Sequence, residues 1–250
     1  MKSLPPPVVR RLPGQSLAER WQQLMDDRLI PVVFGPMMIW AVFIGAWIQA
    51  TPGRQSLRLW LGLAIVATGI GAIGLLRLIP QARALIRGER GERVVAEQLE
   101  ELRTRGFRCF HDIVGNGFNI DHVVVGPPGV FVMETKYRSG SGEIEFRNGE
   151  GIFVAGREEE RDPLKQARGA ARAVHDLIQR DAGITVWVKP LVVFVGDWKV
   201  KNNWRTTDAR MLTADGISRY FENQDQPDLL PNEIKLICSH LKRSASIASA

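Results

Sequence analysis

Three polar side chains with complementary chemistry fall within one predicted β-hairpin. The segment reads FNIDHVVVGPPGVFVMETKY, with β-rich runs on either side of Gly-Pro-Pro-Gly, which is typical of a hairpin turn. If Val125 pairs with Val130, Asp121 lies opposite Glu134, and Lys136 shares their face. Two adjacent carboxylates repel each other and favour a cation between them. The pattern therefore predicts a Mg²⁺ or Mn²⁺ site beside a lysine that can assist a water, in outline a phosphodiester hydrolysis site.

The same residues permit a plainer interpretation. A Glu-x-Lys pair occurs on many solvated strand faces, where Glu134 and Lys136 would form only a surface salt bridge. The preceding segment, GERGERVVAEQLEELRTRG, predicts a helix that ends at Gly106. Glu92 lies on the apolar stripe of this helix, where a carboxylate is costly unless it is paired. The alternative is that Glu92 only favours the helix N-terminus.

A second predicted helix begins at Pro163, a favourable first-turn position, and carries its own buried stripe. Another face holds basic residues at spacings of three, four and three: Lys165, Arg168, Arg172 and His175. Such a row could lie along a phosphate backbone, and we predict that Lys165, Arg168 and Arg172 contact nucleic acid. An ordinary solvated helix face gives the same pattern.

These motifs, in the order GERGE, IDHVVVGPPGVFVMETKY and DPLKQA, resemble the nuclease-related domain (NERD) of the PD-(D/E)xK nuclease-like group, over roughly residues 88–197. The resemblance implies an α/β fold, with a mixed central sheet flanked by helices around a restriction-endonuclease-like core. One departure is Asp162, where the family usually has Asn before proline. Because Asp caps a helix equally well, little changes.

The resemblance also implies a role for each site residue. Asp121, Glu134 and the main-chain carbonyl of Thr135 would bind Mg²⁺ or Mn²⁺. Lys136 would serve the attacking water. Glu92 would support the site from the early helix, and Gln166 would contribute from the next one. The catalytic set implied for this chain is Glu92, Asp121, Glu134, Lys136 and Gln166.

The remaining aromatic and histidine residues have structural interpretations. Apolar runs in ITVWVKPLVVFVGDW predict central strands, and the tryptophans at 187, 198 and 204 are interpreted as core or surface packing residues rather than base-stacking platforms. His111 and His122 have no ligand partners at useful spacing. The segment PNEIKLICSHLKR predicts a final helix. Cys109 and Cys238 form no zinc or disulfide pattern.

Two long apolar runs precede these elements. Residues 29–53 and 59–76 contain no charged side chain, and a short polar turn with Pro52-Gly53 joins them. The second run would reach roughly 27 Å as a helix, about one hydrocarbon thickness. We expect a two-helix transmembrane hairpin over 29–79, against the alternative of two buried helices in a soluble core. Small residues at four-residue spacing would let the backbones approach, and the hairpin could also drive homo-oligomerisation.

Charge supports this organisation. The net charge is +6, but residues 1–87 hold ten Lys and Arg against three Asp and Glu, whereas residues 88–250 hold 23 against 24. The excess of basic residues therefore lies around the apolar runs, and it supports membrane association more strongly than nucleic-acid binding. Because Lys and Arg residues flank the outer ends of both spans, the positive-inside rule places both termini in the cytoplasm of an inner-membrane, multi-pass protein. Residues 1–28 would form a tail whose short amphipathic helix is capped by Ser16.

The sequence thus predicts a tail (1–28), a transmembrane hairpin (29–79) and a nuclease-related domain (88–250). The leading hypothesis is a membrane-anchored Mg²⁺-dependent nuclease that hydrolyses nucleic acid, with DNA favoured over RNA. The first alternative is a non-catalytic, membrane-tethered DNA-binding or assembly module that keeps the fold. The second is an oligomerising hairpin that carries a partner-binding domain without a nucleic-acid role.

Overall fold

The structure is a computed structural model that describes residues 12–49, 56–114, 119–147, 151–159, 162–201, 208–224 and 226–247. Its internal contacts divide the chain into two units. One unit comprises residues 16–87 and the other comprises residues 1–15 together with 88–250. The turn Pro52-Gly53, Trp204 and most of the basic tail lie outside the described residues.

The first unit is helical. Helix α1 (Gln15–Leu24) continues through a π-helical turn (Met25–Leu29) into α2 (Ile30–Ile48), and α3 spans Ser56–Thr104. The predicted cap is wrong in its position, because the helix already begins at Gln15 and Ser16 therefore lies within the first turn. At this helix start the Gln15 Oε1 accepts a hydrogen bond from the Leu12 N–H at 3.1 Å.

Helices α2 and α3 pack closely where α3 has glycines, which carry no side chain. A Cβ atom on Gly71 would lie 2.8 Å from Pro36 Cγ, and one on Gly74 would lie 3.2 Å from Val32. Trp40 Nε1 donates a hydrogen bond to Thr68 Oγ1 at 2.8 Å. Close approach through small residues is thus present at Gly71 and Gly74.

Both helical runs are long and apolar enough to cross a membrane, by length and composition. Their large apolar side chains are exposed within this chain: Met38 is 64% exposed and Ile70 is 67% exposed. A soluble core would have buried these groups, so the exposure argues against the alternative of two buried core helices.

The second unit is a mixed α/β structure, as predicted. Its described residues include a seven-stranded sheet: β1 (Arg108–Val114), β2 (Asn119–Gly126), β3 (Gly129–Arg147), β4 (Gly151–Val154), β5 (Arg157–Glu158), β6 (Val188–Lys201) and β7 (Arg210–Thr213). Strands β1 to β5 pair antiparallel in sequence order. Strand β6 pairs in parallel with both β3 and β7, which makes the sheet mixed.

Helices cover both faces of the sheet. One face packs the end of α3, through Val95, Leu99 and Leu102, together with α5 (Ile217–Glu222). The other face packs α4 (Pro163–Ala182) and α6 (Pro231–Ile247). The predicted apolar stripes of both sequence-derived helices are therefore buried against the sheet, and each contributes to its own core cluster.

The β2–β3 hairpin has the predicted register. Val125 pairs with Val130, and the pairing continues up the strands to His122 and Met133. The loop is tighter than a Val125–Val130 closure with four residues between them, because Gly126 also pairs with Gly129 and leaves only two prolines in the turn. Gly129 makes this possible with a φ of +118°, a region that favours glycine.

Helix α3 runs further than the sequence indicated. It continues through the change from apolar to charged sequence near Gly88, and Pro80 lies inside it. It ends as predicted, with Gly106 in a left-handed conformation at φ +90°. A glycine in a helix interior costs only about 1 kcal/mol, which the burial of Val95, Leu99 and Leu102 offsets.

Candidate active site

The site begins where the β2–β3 ladder ends. Beyond the His122–Met133 pair the two strands diverge, and the Asp121 side chain takes the place of the backbone partner: the Thr135 N–H donates to Asp121 Oδ2 at 2.7 Å. The N–H and carbonyl of one strand residue point to the same side. The Thr135 carbonyl therefore faces the same edge as Asp121, as a shared metal site would require.

Glu134 and Lys136 are adjacent on β3. Lys136 Nζ lies 2.6 Å from Glu134 Oε1, and the two side chains are only 16% and 13% exposed. The surface salt bridge of the plainer interpretation is thus a largely buried pair. Such a pair exchanges its hydration for one short contact, which makes each charge sensitive to the other.

Helix α3 brings Glu92 to the same region. Its side chain is 5% exposed, and its Oε2 accepts a hydrogen bond from the Gly14 N–H at 2.9 Å. Gly91 allows the approach, because a Cβ there would lie 3.1 Å from Tyr137 Cβ and 3.4 Å from Thr135 Cγ2. The contact with Gly14 was not foreseen, since it joins residues 78 positions apart.

The neighbouring carboxylates perturb Asp121 and Glu92. Loss of solvation raises the pKa of Asp121 well above its ordinary value, and the charges of Glu134 and Glu92 add to the rise. The Thr135 N–H and Lys136 oppose it. Burial also raises the pKa of Glu92 to about 7, with Asp112 as the next cause. A cluster of this kind is stabilised by protons or by an added cation.

Asp112 is an acidic residue that sequence reasoning missed. It is fully buried, it lies between the His111–His122 and Ile113–Ile120 pairs of the β1–β2 ladder, and its charge raises the pKa of Glu92. Its φ of +50° is rare for a residue other than glycine. The available signal was an aspartate inside an apolar strand, between Phe110 and Ile113.

The donor set suits a hard divalent cation. Asp121, Glu134 and the Thr135 carbonyl offer oxygen ligands of the kind that Mg²⁺ prefers. Within the described part of the chain, no three side chains of His, Cys, Asp or Glu form a metal-binding group. The predicted set needs only two side chains, and the pKa of Asp121 is raised first by burial and then by the charges of Glu134 and Glu92, which an added cation would offset. The residues therefore fit the ion that the resemblance implies.

Helix α4 starts beside these strands. Asp162 caps it, and its Oδ1 accepts hydrogen bonds from the N–H groups of Leu164 and Lys165. Gln166 has an exposed side chain and shares a helical row with Ala170 and Leu177, which pack in the same cluster as α6. Since α6 covers β1 and β2, this flank of α4 is the one turned toward the strand of Asp121.

An α-helix with an early Glu, an Asp-containing strand, a Glu-x-Lys strand and a capped helix thus occur in one order around one sheet. Residues 87–195 match the family model of the nuclease-related domain, NERD. This segment is a nuclease-related domain. The match agrees closely with the extent of the resemblance in the sequence. Neither a curated protein nor a solved structure matches the chain.

The basic row of the nuclease-related domain lies on the other flank of α4. Arg168 pairs with Asp208 at 2.7 Å, next to β7, and Arg172 is exposed. Lys165 is exposed at the start of the same row. The prediction that this row contacts nucleic acid stays a prediction, and the fold adds that the row and Gln166 face opposite sides of the helix.

Two histidines of the nuclease-related domain, His111 and His122, form a buried pair. His111 Nδ1 and His122 Nδ1 are 2.8 Å apart, so one ring donates and the other accepts. Burial, with His111 as the second cause, holds the pKa of His122 well below its ordinary range. A buried pair of rings that share one hydrogen bond is a packing arrangement, in line with the structural interpretation.

The tryptophans differ from one another. Trp198 is buried, and its Nε1 donates to the Arg138 carbonyl at 2.9 Å, which makes it the packing residue that was predicted. Trp187, just before β6, is 66% exposed. It therefore does not pack in the core, which leaves surface packing of the two packing interpretations; β6 begins one residue later, at Val188.

Proposed function

We propose that this protein is a membrane-anchored nuclease that hydrolyses phosphodiester bonds of nucleic acid with Mg²⁺ or Mn²⁺, DNA being favoured over RNA. The observation that carries the proposal is the convergence of Asp121, Glu134 and Lys136 at one end of the β2–β3 hairpin, with the pKa of Asp121 raised by its neighbours. The match to a nuclease-related domain supports the class of chemistry.

Each residue has a distinct task in the proposed reaction. Asp121, Glu134 and the Thr135 carbonyl would hold the divalent cation, which would supply positive charge to the phosphate oxygens as the transition state develops. Lys136, released from its contact with Glu134, would donate a hydrogen bond that orients the attacking water, which would lose its proton to bulk water. The leaving sugar oxygen would depart in line with the attack and take up a proton from water.

Glu92 and Gln166 would act at the edges of the site. With a pKa of about 7, Glu92 is partly protonated at neutral pH and can exchange a proton with water near the cluster. Gln166 projects from the flank of α4 that is turned toward Asp121, where its amide could contact substrate or bound water. The Gly14 N–H fixes the orientation of Glu92.

The test is cleavage of labelled DNA and RNA by the full chain in detergent micelles, with Mg²⁺, with Mn²⁺ and with EDTA. Metal-dependent cleavage that is lost in both Lys136→Ala and Asp121→Asn would support the proposal. The control is Lys235→Ala, which removes an exposed lysine on α6. Equal cleavage by wild type and Lys136→Ala would refute the mechanism.

A non-catalytic role is the second candidate, because the close Lys136–Glu134 pair already neutralises part of the cluster. A tethered module of this type would bind DNA in a salt-dependent manner without cutting it. The same assay separates the candidates when it is read for both binding and cleavage. Metal-independent binding with intact DNA would favour the module.

The membrane part of the proposal depends on the length and exposed apolar surface of the two helices. We place both termini and the nuclease-related domain in the cytoplasm, with lipid around α2 and the first part of α3. The protein should stay with membranes after extraction at alkaline pH. Release into the soluble fraction would contradict the anchor.

A further inference from the structure

A cavity of about 240 Å³ lies on the flank of α4 that faces β7. Its walls come from Arg168, Arg172 and His175 on the helix and from Trp187 before β6, and its floor is formed by Val188 and Pro190. Cavities for drug-sized ligands measure roughly 300–1,000 Å³. This one is smaller, so it is suited to a single ring system and its nearest substituents.

Trp187 is the unusual member of this cavity. An indole is among the most favourable groups to bury, yet this one is 66% exposed, while Trp198 on the same strand segment is 8% exposed. Exposed tryptophans at the rim of a cavity are typical of binding sites, because they offer a large flat face at low entropic cost.

Two of the basic side chains around Trp187 are held in place by specific contacts. Arg168 is held by its ion pair with Asp208, and His175 Nδ1 lies 2.7 Å from the Val186 carbonyl. A carbonyl only accepts, so the His175 Nδ1 carries the hydrogen and Nε2 is left to accept in the neutral ring. Among the described residues, Arg172 has no ion-pair partner, and its guanidinium is exposed.

We propose that this cavity binds one unpaired base of single-stranded nucleic acid, with the base stacked on Trp187 and an adjoining phosphate bound by Arg172. Aromatic stacking together with a guanidinium is the usual means of binding single strands without sequence preference. A base inside a duplex cannot offer its face to an indole, since both of its faces are already stacked. As a statement about substrate, this inference rests on the proposed nuclease function.

The position of the cavity suggests how it would act. Val188 precedes Val192, the partner of Glu134, by four residues along β6, or about 13 Å. A strand leaving the acid cluster would pass the first turn of α4, where Lys165 is exposed, and reach Trp187 within a few nucleotides. The cavity would therefore hold substrate away from the reacting bond and would affect KM more than kcat.

The experiment is fluorescence anisotropy with the full chain in detergent micelles and EDTA, so that no cleavage occurs. The probes are a labelled 12-nucleotide single strand and the corresponding duplex. We expect tighter binding of the single strand, and about a tenfold loss of that affinity in Trp187→Ala, the scale of one base stacked on an aromatic ring. Trp187→Phe should keep most of the affinity, and Arg172→Gln should make binding less sensitive to salt.

The control is Leu230→Ala, which removes another exposed apolar side chain, 67% exposed, outside the cavity. Equal single-strand affinity in Trp187→Ala and wild type, or tighter binding of the duplex, would overturn the inference. If the wild type cuts nucleic acid and Trp187→Ala cuts it with the same KM, the nuclease proposal stands and the cavity proposal fails. If single-strand binding depends on Trp187 but the wild type cuts no nucleic acid, the cavity proposal stands and the nuclease proposal fails.

Discussion

Replacing Glu92 with glutamine should stabilise the protein at high pH. Burial raises the pKa of this carboxyl from 4.5 to about 7, so the folded state resists its ionisation. The resulting penalty is absent below pH 4.5, grows as the pH rises toward 7 and is complete above that. A shift of this size corresponds to about 3 kcal/mol of unfolding free energy. Glutamine cannot ionise, but its carbonyl can still accept the Gly14 N–H.

The measurement is chemical denaturation of the full chain in detergent micelles with EDTA, at several pH values from 4 to 9. We expect Glu92→Gln to exceed wild type by up to about 3 kcal/mol above pH 8 and to differ little near pH 4. Glu97→Gln is the matched control, because Glu97 lies on the same helix with an exposed side chain and should show no such trend.

A Glu92→Gln variant that is equal to or less stable than wild type at pH 8 would refute this reasoning. It would mean that the carboxylate is compensated in the folded state, and that the cluster has no deficit of positive charge. A gain of stability that is independent of pH would also contradict the electrostatic cause, since it would point to packing or to local helix preference instead.

Three further changes test the elements that build the site, each by denaturation of the full chain. Lys136→Met should cost about 3 kcal/mol, because it leaves Glu134 uncompensated in a largely buried position; an unchanged midpoint would show that the pair is solvated. Gly91→Val should destabilise by about 1–3 kcal/mol through contact with the sheet, whereas Gly169→Ala, with open space around it, should stabilise by about 1 kcal/mol. Asp162→Ala should cost about 1 kcal/mol by removing the α4 cap and Asp162→Asn should cost almost nothing, so equal losses would contradict the capping role.

The hairpin could be predicted from sequence because its information is local. A two-proline turn between glycines and alternating valines determine the register, and the register determines which side chains stand opposite one another. Pairing alone predicted Asp121 directly opposite Glu134, but the ladder ends at the His122–Met133 pair and Asp121 accepts the Thr135 N–H instead. The tight loop was missed because the sequence does not show that Gly129 adopts a positive φ.

Contacts between distant segments could not be predicted in this way. The approach of Asp112 and Gly14 to Glu92 depends on how α3 crosses the sheet, which no periodicity encodes. The exposure of Trp187 depends on β6 beginning at Val188, four residues after its apolar run starts at Ile184. The basic row of α4 was visible as a pattern, but its orientation away from Gln166 required the positions of α6 and β7.

The most direct test of the central claim is anomalous diffraction from crystals of the full chain soaked in Mn²⁺. We predict a manganese peak in contact with Asp121, Glu134 and the Thr135 carbonyl, with the Lys136 ammonium moved off the Glu134 carboxylate. Crystals that show no manganese at this edge of the sheet, with the Lys136–Glu134 pair intact, would contradict the account.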